Sequence, residues 1–136
     1  MTYGFGLWQS GFKVLIPWIY SNSRHDQWNN LDSSSSDFGV RTDPDGRPIP
    51  TPIWEAYREG IDDGKYIFTL EKLIERAVEM GFKKEADAAK ADLELIKRNM
   101  FIQERYKDKN LWGADTFDAY RWLIAENIMK LNRLLQ

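Results

Sequence analysis

The chain has no cysteine and a single histidine, His25. The first absence removes disulfides, thiolate metal sites and cysteine nucleophiles together. The second rules out a histidine-rich metal site or a histidine pair within one copy, and no cofactor is expected. Charge of one sign is also missing: 19 basic and 21 acidic residues leave a formal net charge of −2. No strong field therefore favours nucleic acid or an acidic membrane surface. Long apolar runs are absent too. The longest, Val14–Tyr20, has seven residues and contains Pro17, whereas a membrane-spanning helix needs about 20. A basic stretch followed by an apolar run, the mark of a signal peptide, is not visible at the N-terminus. No Gly-rich phosphate loop, calcium-loop spacing or serine nucleophile elbow occurs.

What is present is unevenly placed. The 136 residues are 43% hydrophobic, enough for one packed domain, and 14% aromatic with six tryptophans. Residues 1–31 hold Tyr3, Phe5, Trp8, Phe12, Trp18, Tyr20 and Trp28 with few charges. Residues 32–52 read as loop, through Ser33–Ser36, Asp43-Pro44-Asp45-Gly46 and three further prolines. Residues 53–136 are rich in Ala, Leu, Glu and Lys, and read as helix.

The helical half is patterned in four pieces. Thr51 caps a helix with Pro52 at its first position, where proline's missing N–H costs nothing, and this helix runs to Gly60. A turn is expected at Ile61-Asp62-Asp63-Gly64. A second helix follows over Lys65–Met80, with Ile67, Leu70, Leu73, Ile74, Ala77 and Val78 inward, and Gly81 in a left-handed cap. A third spans about Lys83 to Lys107 on Ala86, Ala89, Leu93, Ile96 and Met100. The fourth starts at Asp115 or Thr116 and runs nearly to Gln136 along Phe117, Tyr120, Ile124, Ile128, Leu131 and Leu135. The last two should pack antiparallel. Both signs of charge mix along Lys83–Arg98, which reads as a solvated face.

Val14–Tyr20 is apolar on both faces and β-branched, as in a strand buried in a parallel sheet. No second strand of that quality is visible, and one strand cannot satisfy its own main chain. A second copy, or a missing portion of a larger protein, is the expected partner. The fold class is therefore mainly α: a helical hairpin or bundle preceded by a single strand and an aromatic loop.

The run Pro50-Thr51-Pro52-Ile53-Trp54-Glu55-Ala56-Tyr57-Arg58-Glu59-Gly60-Ile61-Asp62-Asp63, with Tyr66 and Leu70 beyond it, carries a resemblance. Upstream, Gly4-Phe5-Gly6-Leu7-Trp8-Gln9-Ser10-Gly11 and Trp18-Ile19-Tyr20 fit the same order. Over residues 3–80 the chain resembles the C-terminal end of a glycoside-hydrolase-like (β/α)8-barrel family. That family includes a domain of unknown function and β-N-acetylgalactosaminidase-type enzymes. The resemblance implies a division into residues 1–64, the terminal barrel-type strand, loop and helix, and residues 65–136, a helical extension. It implies that Val14–Tyr20 is the last strand of a TIM-like barrel, whose C-terminal end would face the active site. Two departures stand out: the seven preceding strands are absent, and Gly64 replaces a residue that is often larger. The Asp–Glu pair that performs catalysis in characterised relatives lies on an earlier strand and has no counterpart here.

Candidate residues follow. Trp18, Tyr20 and Trp28 could form an aromatic platform for a carbohydrate, although aromatics at strand ends also serve as core or interface. Glu55, Glu59, Asp62 and Asp63 suggest an acid/base pair, Glu55 and Glu59 being one helical turn apart, but glycosidase carboxylates face each other across a cleft. Glu55, Arg58, Asp62 and Asp63 are read as structural, through ion pairing and capping around Arg58. His25 beside Asp26 is read as a surface histidine, since neighbouring side chains diverge. The reading is a C-terminal piece of a glycoside-hydrolase-like protein, inactive alone. The alternatives are a stand-alone helical module for protein interaction or oligomerisation, and a carbohydrate-binding module.

Overall fold

The computed structural model describes residues 2–16, 20, 39–100 and 113–136. They are mainly helical. A π-helical turn, Thr2–Gly6, runs into the short helix α1, Leu7–Ser10. A small hairpin, β1 Val40–Thr42 and β2 Pro48–Pro50, leads into three long helices: α2 Pro52–Glu79, α3 Lys83–Asn99 and α4 Ala114–Leu134. Among the described residues no helix is long and apolar enough to cross a membrane.

The caps follow from local chemistry. Thr51 Oγ1 accepts the Trp54 N–H at 3.4 Å with Pro52 in the first turn. Gly81 takes φ +90° at the tight reversal from α2 to α3, as its sequence position predicts. The seams of α3 and α4 are those read from the sequence: Ala86, Ala89, Leu93, Ile96 and Met100 are buried, with Phe117, Ile124, Leu131 and Leu135 facing them. On α2, Ile67, Leu70 and Ala77 enter this core, with Leu73 and Ile74 partly buried. Val78, expected inward, is instead 50% exposed. Between α3 and α4, buried Asn127 donates from Nδ2 to Asp92 Oδ2 at 2.8 Å and to the Leu123 carbonyl at 3.0 Å.

Four expectations require correction. The turn at residues 61–64 does not exist, because α2 is a single helix of 28 residues. A helix-interior glycine costs about 1 kcal/mol relative to alanine, and packing outweighs it here. Gly60 lies where the N-terminal segment crosses α2 so closely that an added Cβ would come within 2.6 Å of Tyr3 Cβ and 2.9 Å of the Gly4 nitrogen. The third helix ends at Asn99 rather than near Lys107, since Met100 leaves helical geometry (φ −94°, ψ +60°) while its side chain stays buried. Residues 101–112 lie outside the described residues.

The loop expected over residues 32–52 contains a hairpin. Val40 pairs with Pro50, Arg41 with Ile49 and Thr42 with Pro48. Asp43 Oδ1 accepts the N–H groups of Asp45 and Arg47 at 2.9 and 2.8 Å, and Gly46 supplies φ +79°. Both strand prolines of the hairpin, Pro48 and Pro50, lie on β2, whose ladder partner among the described residues is β1 alone, so the sheet interior is spared the missing N–H groups. Finally, Val14, Leu15 and Ile16 do not form a buried strand. They lie outside regular structure and are exposed, Val14 by 72% and Ile16 by 83%. The one sheet among the described residues is the β1–β2 hairpin, which does not include them. Residues 17–19 of that run lie outside the described residues.

The joint between the N-terminal segment, α2 and α4 is polar. Asp63 is 1% exposed and receives two bonds from Arg121: Nε to Oδ1 at 2.6 Å and Nη2 to Oδ2 at 3.2 Å. Arg121 Nη1 also donates to Asp118 at 2.9 Å, and Nη2 lies 3.7 Å from Glu59. Asp63 raises the Arg121 pKa above its already high ordinary value. Phe5, fully buried, sits beside Phe117 and Tyr120 at ring-centre distances of 5.8 and 6.1 Å. Farther along, Trp8 Nε1 donates to Glu71 at 2.9 Å, and Lys97 Nζ stands 5.5 Å from the Trp8 ring centre.

The two glycines of α2 should respond in opposite ways. Gly64→Ala adds a Cβ that meets nothing within 4 Å, so urea unfolding should show a gain of about 0.5–1 kcal/mol. Gly60→Ala drives a Cβ into the Tyr3–Gly4 backbone and should cost about 1–3 kcal/mol.

Candidate functional site

The close crossing at Gly60 sets Tyr3 against the first turns of α2 and opens a cleft beside it. Tyr3, Leu7, Leu15, Trp54, Tyr57, Arg58 and Ile61 line a cavity of about 310 Å³. Four segments contribute: the π-helical turn supplies Tyr3, α1 supplies Leu7, the irregular run supplies Leu15, and α2 supplies the rest. On α2, Trp54, Tyr57, Arg58 and Ile61 share a face because they are three, four and seven residues apart.

Aromatic rings make most of the wall. The Tyr3 and Tyr57 ring centres are 4.0 Å apart at 39°, and Trp54 stands edge-on to Tyr57 at 6.5 Å. Tyr20 meets Trp54 edge-on at 5.4 Å, and its carbonyl accepts the Val40 N–H at 3.0 Å. Gly39 ties this corner to the start of α2, its carbonyl accepting from Thr51 Oγ1 at 2.8 Å and Thr51 N at 3.2 Å. The hydrogen bond with Tyr3, aided by partial burial and the neighbouring phenol, pushes the Tyr57 pKa up to about 12.

The acidic and basic residues around the cleft are engaged with one another. Arg58 Nη1 donates to Glu55 Oε2 at 2.6 Å. Asp62, which the sequence suggests as a partner of Arg58, is bonded instead by Lys65 Nζ at 2.8 Å, three residues on. That ammonium holds the Asp62 carboxyl below the usual carboxylate range. Asp63 turns the other way, into the core and Arg121. Asp62 and Asp63 lie in the middle of α2 and cap neither of its ends. Glu55 and Glu59 serve different cations, Glu55 holding Arg58 while Glu59 approaches Arg121.

Of the aromatic platform expected from the sequence, Tyr20 lies beside Trp54, next to the cleft. Trp18 and Trp28 lie outside the described residues, as does His25. Tyr3, Leu7, Trp54, Tyr57 and Ile61 were not singled out as site residues by sequence reasoning. A signal for the last three exists: apolar and aromatic residues at 54, 57 and 61 repeat at helical spacing, away from the core stripe of Ile67, Leu70 and Ala77. Among the described residues no cluster of three acidic or histidine side chains could hold a metal ion. The arrangement offers flat apolar ring faces, two phenols and one guanidinium, at the small end of ligand-cavity volumes.

Compared with known proteins, the chain matches no family model, no curated protein and no solved structure.

Titration of phenolate absorbance tests the Tyr3–Tyr57 contact. One tyrosine should ionise near pH 12 rather than its ordinary 10.0, and Tyr3→Phe should return it towards 10. Because the folded-state pKa is raised, this contact stabilises the fold fully below pH 10, and its contribution fades as pH climbs from 10 to 12.

Proposed function

We propose that this chain is the C-terminal part of a glycoside-hydrolase-like protein that acts on carbohydrate, and that it has no hydrolytic activity on its own. The observation that carries the reading is the bare apolar run Phe12, Val14, Leu15 and Ile16, all exposed beside an aromatic cleft. Contiguous exposed apolar surface of this kind marks a missing contact. Neighbouring strands of a barrel would cover it, supplying the main-chain partners that let a β-branched run become a strand.

The resembling motifs have a physical relation that supports the same reading. Gly4, from the Gly-x-x-x-Trp segment, and Gly60 and Asp63, from the Arg-Glu-Gly-Ile-Asp-Asp segment, meet at one crossing. A Cβ on Gly4 would fall 2.5 Å from both Asp63 Cβ and the Gly60 carbonyl oxygen. Two motifs far apart in sequence thus form one packing unit, with glycine required for close approach. The aromatic cleft suits the C–H-rich face of a sugar ring, which packs on aromatic carbon without strict hydrogen-bond demands. Inactivity of the chain alone is supported by the carboxylates near the cleft. Glu55, Asp62 and Asp63 are each committed to a cation, which leaves no facing acid/base pair among them.

The test combines the gene with an assay. DNA upstream of the first codon should encode strand–helix units bearing an adjacent Asp–Glu pair. The joined protein should hydrolyse aryl 2-acetamido glycosides, and the 136-residue chain should stay at background. Turnover by the chain alone, lost on mutating Glu55 or Glu59, contradicts the proposal. An upstream region with no such units contradicts it as well, in favour of a stand-alone helical interaction module.

A further inference from the structure

The outer face of α2 carries a second pattern. Apolar residues recur at seven-residue intervals, Trp54, Ile61 and Phe68, and cations recur between them at the same interval, Arg58, Lys65 and Lys72. At 100° per residue these six fall within an arc of about 80°, opposite the core-facing Ile67, Leu70 and Ala77. Ile61 is 58% and Phe68 60% exposed, and the three cationic side chains are more than half exposed. From Trp54 to Lys72 the stripe is about 27 Å long. At its N-terminal end it runs into the aromatic cleft, which Trp54, Arg58 and Ile61 also line.

A seven-residue repeat held over two full periods is the spacing that keeps one helix in contact with another as they supercoil. Charge decides what kind of helix fits. Two copies of this stripe laid together, parallel or antiparallel, bring Arg58 and Lys65 of one onto cations of the other, and like charges in apposition oppose pairing. The carboxylates that pair with Arg58 and Lys65, Glu55 and Asp62, lie towards one flank of the stripe. Their ion pairs are exposed and weak. The Lys72 ammonium, 5.8 Å from the Phe68 ring centre and bonded to Glu75, stays protonated, its pKa raised by that carboxylate. We propose that this stripe receives an acidic amphipathic helix of a partner, with apolar residues every seventh position against Trp54, Ile61 and Phe68. Asp or Glu between them would meet Arg58, Lys65 and Lys72. The proposal stands on α2 alone and does not depend on the carbohydrate reading.

The probe is a three-heptad helical peptide with Leu at one position and Glu at the fifth of each heptad. Its counterpart carries Lys in place of Glu. Fluorescence anisotropy against the full chain should show the Glu peptide binding at least about tenfold more tightly than the Lys peptide, with the difference shrinking as salt rises. Phe68→Glu should weaken Glu-peptide binding about tenfold, and Lys65→Glu should narrow the preference between the peptides. Both substitutions are at exposed positions, so unchanged far-UV circular dichroism should accompany them. Equal binding of the two peptides, no binding of either, or indifference to Phe68→Glu overturns the proposal. So does sedimentation showing that a second copy fills the stripe, with self-association abolished by Phe68→Glu.

Discussion

The architecture turns on one buried charge. Removing the Asp63 carboxylate from water costs several kcal/mol, and the two bonds from Arg121 offset that cost. The requirement fixes α4 against the middle of α2, across 58 positions of sequence. It also constrains the N-terminal segment, because Asp63 lies directly beneath Gly4 and any side chain there would collide with it. Phe5 then drops beside Phe117 and Tyr120, and Tyr3 comes to rest on Tyr57. The cleft is a consequence of this joint: move Arg121, and the wall formed by Tyr3 and Leu7 loses its anchor.

Much of the helical half can be read from residue patterns, because local chemistry and packing agree there. Thr51-Pro52 starts a helix, Gly81 reverses one, and the seams of α3 and α4 repeat at the helical period. The readings that fail do so where local preference and tertiary demand part. Ile61-Asp62-Asp63-Gly64 looks like a turn, yet Gly60 is needed for the close crossing with Gly4 and Asp63 for Arg121. The backbone stays helical to deliver both. That error hides the outer stripe as well, since Trp54, Ile61 and Phe68 form a heptad series only when α2 is continuous. The hairpin is obscured by Pro48 and Pro50, which weaken a strand pattern except at a free edge. Val14–Ile16 has the composition of a buried strand, but composition does not supply the neighbours that would bury it.

Two exposed apolar surfaces, the run Phe12–Ile16 and the stripe along α2, converge on the aromatic cleft, which Leu15, Trp54 and Ile61 line together. Opposite them, the helices close a core of their own. Among the described residues, the carboxylates Glu55 and Asp62 near the cleft hold cations in place, and its walls are largely rings.

The most direct test of the central joint is a double-mutant cycle on Asp63 and Arg121, read by urea unfolding. Arg121→Met should cost about 3–5 kcal/mol by leaving a buried carboxylate without its guanidinium, and Asp63→Asn should be similarly damaging. The double variant should lose clearly less than the sum of the two, because both single changes remove the same pair of shared bonds. Additive losses of under about 1 kcal/mol each, the behaviour of a surface ion pair, would contradict the account.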